Sequence, residues 1–206
     1  MSFPSMHMVI PEARVGDAIV EHFDVSDRDS AFTRLRDTLN PGRPGREYIP
    51  PGRYARLRIV GKLVMTDTAM ERESNCAVVR EARGDVLIAG LGLGMIVVPI
   101  ARKPEVRSVT VIERSADAIA LVMPPLGKYL DDTASKLIVV LADAFTWRPA
   151  KGAAWDTIYF DIWSNISTGN LREIVRLKRK FRQRIRLGGW MGAWMQRELQ
   201  ARERRL

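Results

Sequence analysis

Asp85-Val-Leu-Ile-Ala-Gly-Leu-Gly-Leu-Gly94 is the stretch on which the reading of the fold turns. Its apolar run, Val86–Ala89, has the length and composition of a buried strand, and three glycines then punctuate the chain before an apolar segment, Met95–Arg102, that reads as a helix. Glycine permits a tight turn and removes side chains where backbone must approach another group. Backbone N–H groups at the start of the helix would favour an electronegative partner. Taken alone, the cluster also fits a sharp strand-to-helix turn. Glu113 adds a second signal. It ends the next strand, nineteen residues beyond Gly94, where a carboxylate in a nucleotide-binding α/β unit accepts hydrogen bonds from ribose hydroxyls. The alternative reading of Glu113 is a solvated strand end paired with Arg114 or Arg107.

The glycine spacing narrows the ligand. The third glycine falls one residue early for the G-x-G-x-x-G dinucleotide pattern, and the bulky Met95 and Ile96 that follow suit packing better than a pyrophosphate. No Gly-Lys-Ser/Thr phosphate loop is present.

Outward from this unit the chain keeps the rhythm of a parallel sheet with crossover helices. Strands are expected at Val86–Ala89, Ser108–Ile112, Leu137–Ala142 and Thr157–Phe160, with a fifth near Gly188–Trp194. Crossover helices are expected at Met95–Arg102 and Ala116–Val122, the second ended by Pro124-Pro125. Asn170–Arg186 reads as a longer amphipathic helix with Leu171, Ile174, Val175, Phe181 and Ile185 near one stripe. Upstream, Leu57, Ile59 and Leu63–Met65 flank Gly61-Lys62 as a β-hairpin, and Asp67 or Thr68 is placed to cap a helix reaching Ala82. Asn40-Pro-Gly-Arg-Pro-Gly45 is a turn or linker signal. The fold class is therefore α/β, a three-layer, mostly parallel sheet plus a small N-terminal hairpin segment. The expected division is residues 1–80 for the hairpin and helix and 81–206 for the ligand-binding unit.

Composition bounds the function. Hydrophobic residues make up 46% of the 206 and charged residues 28%, ordinary for a globular chain. A single cysteine, Cys76, and two histidines leave neither a disulfide nor a zinc spacing, so no metal is expected. The N-terminus lacks a basic region followed by an apolar run, and no apolar stretch reaches about 18 residues. The expectation is a cytoplasmic protein without a membrane span. The net charge of +9 lies wholly in residues 170–206, where twelve Arg and Lys face three Glu.

The spacing of Gly90-x-Gly92-x-Gly94, Glu113, Asp143-Ala144 and Asp161 resembles the class I, Rossmann-like methyltransferase superfamily, over about half the chain. From Leu57 through Gly94, the order of hairpin, Thr66-Asp67, helix and glycine loop looks like the spermidine synthase branch. The resemblance implies S-adenosylmethionine as cofactor. It implies that Gly90, Leu91, Gly92 and Gly94 line the methionine and ribose, that Glu113 with Arg114 meets the ribose, and that Asp143 with Ala144 meets the adenine. Asp161 would face the reacting centre, in both binding and catalysis. The aminopropyltransferase pattern has a Gln in the hairpin, a Tyr-His pair in the helix and an Asp-Ser/Thr-Asp run after the fourth strand. Here those places hold Val64, Glu73-Ser74 and Asp161-Ile-Trp-Ser-Asn165. The base N-methyltransferase run of a polar residue and Pro-Pro-aromatic is absent too. A sheet of that superfamily adds a terminal hairpin, so this one is read as shortened.

Methyl transfer to a small acceptor is thus the favoured activity, with aminopropyl transfer, another sulfonium cleavage, or non-catalytic binding as alternatives. Asp161 is the first choice for a general base, and a helix cap is its plainer role. Asp143 is either an adenine ligand beside Phe145 and Trp147 or the cap of a turn. Trp163 and Asn165 are candidates for the acceptor pocket. The basic run over residues 172–186 could meet nucleic acid, although such a run is more often a solvated helix face, and nucleic acid is not favoured as a partner. Trp190, Met191, Trp194 and Met195 are expected to pack against the sheet or a second copy in a homo-oligomer.

Overall fold

Two sheets are stacked along the chain in the computed structural model, which describes residues 2–39, 48–167 and 169–204. The expected Asn40–Gly45 turn lies outside the described residues. Strands β1 (Ala13–Val15) and β2 (Ala18–Val25) lead into helix α1 (Asp27–Leu39). Then come β3 (Gly52–Ile59), β4 (Lys62–Thr66), and helices α2 (Ala69–Ser74) and α3 (Cys76–Glu81). The second half runs β5 (Gly84–Ala89), α4 (Val97–Ala101), β6 (Val106–Glu113), α5 (Ala116–Leu130), β7 (Leu137–Leu141), β8 (Trp155–Phe160), α6 (Gly169–Phe181), β9 (Ile185–Ala193) and α7 (Gln196–Glu203).

The first sheet is antiparallel in the order β1-β2-β3-β4, and the second is parallel in the order β7-β6-β5-β8-β9. The order reverses beside β5, the arrangement of a doubly wound Rossmann-like sheet whose ligands lie outside the carboxyl ends of the strands. Strand β5 shows why its sequence is apolar throughout. Val86 and Ile88 join the core under α4 and α5, while Leu87 and Ala89 join the core under α6. Both faces are buried, so the alternation of a half-exposed strand disappears. The α4/α5 core continues into Ala18, Val20, Ala55, Leu57 and Met65, which fastens the antiparallel sheet to the parallel one. No helix among the described residues is long and apolar enough to cross a membrane.

Several boundaries differ from expectation. The N-terminal segment is a four-stranded sheet with a helix rather than a hairpin alone, and β1 and β2 escaped notice because charged residues interrupt their alternation. The expected turn of the hairpin is present, with Val60 and Gly61 both at positive φ, 50° and 70°. Helix α5 runs through Pro124 and Pro125 instead of stopping before them. Ala118, Leu121, Val122, Leu126 and Leu130 are buried along it, and their packing outweighs the lost N–H donors. The segment Met95–Arg102 is helical only from Val97 to Ala101, because a turn through Gly94 occupies its first residues. The helix up to Ala82 breaks at Asn75 into α2 and α3. Helix α6 ends at Phe181, where a short 3-10 turn leads into β9, so Ile185 and Arg186 are strand residues and Val175 is 55% exposed. The buried stripe is Leu171, Ile174, Leu177 and Phe181.

Asp67 does not cap a helix. Its fully buried carboxylate accepts hydrogen bonds from the N–H groups of Met6 (2.6 Å) and Ala55 (2.7 Å) and an ion pair from Arg72 (3.3 Å). Thr68 occupies the N-cap position without a side-chain cap bond. Removing the Asp67 carboxylate leaves two buried donors and a cation unsatisfied. Asp67→Ala is expected to destabilise the fold by about 2–4 kcal/mol in urea unfolding. A change under about 0.5 kcal/mol would show that water replaces these bonds.

Candidate functional site

The carboxyl ends of β5, β6, β7 and β8 open into one cavity of about 390 Å³, roofed by the β3–β4 hairpin. That volume falls within the ~300–1,000 Å³ of small-molecule sites. Gly90, Leu91, Gly92, Glu113, Arg114, Asp143, Ala144 and Asp161 all line it, with Phe145 and Trp163. Gly94 and Asn165 are not among the lining residues. Gly94 has φ +75°, and a Cβ there would strike Leu126, so this glycine serves the packing of α5.

The loop donors are largely spent inside the protein. The N–H of Gly90 donates to the Ile112 carbonyl, that of Leu91 to Glu113 Oε2 (2.9 Å), that of Leu93 to Met65 Sδ (3.4 Å) and that of Gly94 to the Leu91 carbonyl. Helix α4 begins only at Val97, past a buried turn, rather than directly after the glycines. Glu113 holds its place through that bond and through the N–H of Ser115 on Oε1 (2.8 Å), and each carboxylate oxygen has capacity for a further bond. Arg107 goes elsewhere. At the opposite end of the sheet it joins Arg186 around Asp85 and Asp156, and its guanidinium leads in holding the Asp85 carboxyl down to about 2.

Asp143 caps a turn and also lines the cavity. Its Oδ1 accepts from the N–H of Phe145 (2.7 Å), the side-chain turn typical of Asp. Phe145 lines the cavity under the Arg176 guanidinium, 5.1 Å from the ring centre. Trp147 instead stacks on Phe181 in the core, as Trp190 does on Tyr159. Trp194 and Met195 are buried, and Met191 packs against the α6 core.

A further carboxylate stands beside Asp161. Glu71, in the first turn of α2, lines the same cavity, and burial pushes it up to about 8, helped by the charge of Asp161. Burial likewise pushes Asp161 up to about 7, opposed by a hydrogen bond from Asn75. Buried Asn75 also donates to the Glu71 carbonyl (3.0 Å) and accepts from the Tyr159 hydroxyl (2.9 Å), which locks the pair's surroundings. Glu71 was not singled out in the sequence, because Thr68-x-x-Glu71 has the spacing of a helix capping box.

No protein-family model matches the chain, and no curated protein matches it. Solved structures overlap it in part. They include a precorrin 8w decarboxylase from Methanobacterium thermoautotrophicum, at 23% identity and TM-score 0.43 over 64% of this chain and 68% of that one. The glycopeptide N-methyltransferase MtfA complexed with S-adenosyl-L-methionine follows at 20% and 0.43, over 58% and 52%. The N-methyltransferase NodS from Bradyrhizobium japonicum gives 16% and 0.41, over 56% and 62%. This chain thus spans about half to two thirds of the length of each. At this level the likeness concerns the path of the chain alone.

The raised carboxylates fix a sign for stability. In the unfolded chain both groups ionise near pH 4, whereas the folded protein keeps its protons up to about 7 and 8. Between those limits the folded state binds more protons, so this pair's contribution falls as pH rises and levels off above about pH 8. Glu71→Gln is therefore expected to gain stability relative to the parent from pH 4.5 to 8, read as the difference of their melting temperatures. A difference independent of pH would refute the shift.

Proposed function

We propose that the chain binds S-adenosylmethionine in this cavity and transfers its methyl group to a small acceptor, with Asp161 at the reacting centre. The observation that carries the reading is the convergence of Glu113, Asp143 and Asp161 at three strand ends around a loop free of side chains at Gly90 and Gly92. The donor set fits the ligand. Glu113 would accept from the ribose hydroxyls, Asp143 from the adenine amino group beside Ala144 and Phe145, and Arg114 borders the ribose. Carboxylates at the Asp161 end suit a cationic sulfonium.

Bound there, the cofactor supplies a methyl group already activated by positive sulfur. The chain's own contribution is then orientation and proton management. Asp161, held by Asn75, positions the acceptor and takes its proton, a task suited to a carboxyl near neutrality. The hairpin excludes water and turns Val64 to the cavity, where the aminopropyltransferase pattern sets a Gln, which favours methyl over aminopropyl transfer. The spermidine synthase-like order of elements is kept as a likeness in architecture.

Titration calorimetry with S-adenosylmethionine is expected to give saturable heat, and chromatography of a turnover mixture to give S-adenosylhomocysteine. Methylthioadenosine as product would reassign the chemistry to aminopropyl transfer, and no heat at millimolar ligand would overturn the reading. Glu113→Ala and Asp143→Ala are expected to weaken binding by about tenfold each, the loss of a charged hydrogen bond. Asp161→Asn should abolish turnover and spare binding.

A further inference from the structure

The reading above leaves one lining group unused. Glu71 reaches the cavity from α2, on the hairpin side, and meets Asp161 at the end of β8. The charged residues lining the cavity are Glu71, Asp161, Glu113, Asp143, Lys62 and Arg114. Glu113 and Asp143 are tied to backbone N–H groups, and the remaining two are cations. With Glu113 and Asp143 given to the ribose and adenine in that reading, the Glu71–Asp161 pair is the negative charge left for an acceptor among the described lining residues. The lining also holds the apolar Met65, Ile162 and Trp163, with Ser164 following them.

Resting on the methyl-transfer reading, we propose that Glu71 and Asp161 together form an acceptor subsite for a monoamine carried on an apolar body. Two carboxylates that share one cavity and feel each other's charge repel, and an ammonium between them relieves that repulsion. An alcohol brings no such charge. A diamine would place its first ammonium on the pair, but its second would find no uncommitted carboxylate among the lining residues and would meet Lys62 or Arg114 instead. The chemistry balances. The bound ammonium gives one proton to a carboxylate of the pair, and the freed nitrogen lone pair forms the bond to the methyl carbon. The carbon–sulfur bond breaks with its electrons left on sulfur, and the product leaves as a methylated ammonium while the carboxylate returns its proton to water.

The test uses the full chain at pH 8.5 with phenethylamine, 2-phenylethanol and 1,4-diaminobutane, titrated both alone and with saturating S-adenosylhomocysteine. Phenethylamine is expected to bind at least tenfold more tightly than the alcohol and the diamine, and to be methylated. Glu71→Gln, which circular dichroism should show folded, is expected to weaken phenethylamine at least tenfold and leave 2-phenylethanol unchanged. Equal binding of amine and alcohol, preference for the diamine, or an unchanged Glu71→Gln variant would each overturn the subsite. Absence of S-adenosylhomocysteine binding would overturn the parent reading, and the titrations without it judge the subsite separately.

Discussion

Gly90 lies with its Cα against the backbone carbonyl of Asp161, at φ +102°, and a Cβ at this position would overlap that carbonyl. The contact holds the ends of β5 and β8 together, reinforced by the Asp161 N–H donating to the Ala89 carbonyl (2.7 Å). From this junction the rest of the cavity follows. The Gly90 N–H reaches the Ile112 carbonyl of β6, and the Ala142 N–H reaches the Glu113 carbonyl, which carries the same rung to the end of β7. Glu113, Asp143 and Asp161 are thus set side by side by main-chain bonds. Their placement is a property of parallel strands ending in register.

Within that frame the carboxylates fall into two electrical classes. Asp67 and Glu113 accept backbone N–H bonds, and these compensate for removal from water, while Asp143 accepts one and stays exposed. Glu71 and Asp161 lack such compensation in proportion to their burial, and both hold protons into the neutral range. A fold selected for stability alone would place amides or apolar groups there. Two poorly solvated carboxylates sharing a cavity are, in the proposed reading, where protons or cations are exchanged.

The parallel sheet was legible in the sequence because its strands are buried on both faces. Val86–Ala89 and Thr157–Phe160 cannot be anything but interior, and their glycine and aspartate punctuation marks the cavity end. What could not be read follows from tertiary packing. Pro124 and Pro125 forbid nothing once Leu126 and Leu130 are anchored in the core, and Ile185 reads as helical until the turn after Phe181 diverts it into a strand. Glu71 was hidden for a different reason: its spacing from Thr68 satisfies a local rule that the structure does not use. The cavity carboxylates that end or follow a strand were visible, and the one on a short helix was not.

The C-terminal excess of basic residues takes its meaning from the same cavity. Lys180 donates to the carbonyls of Ala144 and Phe145, both at 2.9 Å, and Arg176 covers the Phe145 ring. Lys178 bonds Gln196, Arg184 the carbonyls of Ala150 and Ala153, and Arg186 the Asp85–Asp156 pair. Within the run that suggests a phosphate-binding helix by composition, Lys178, Lys180 and Arg184 are half-buried and bonded internally, while Arg172, Arg176, Arg179, Arg182 and Arg186 stay exposed. Lys180, Arg176 and Arg184 brace the segment after β7, which carries Asp143 toward the cavity. Charge density along a sequence measures what a surface could attract only after such internal bonds are subtracted. On α6 that subtraction takes away Lys178 and Lys180 and leaves Arg172, Arg176 and Arg179 facing solvent.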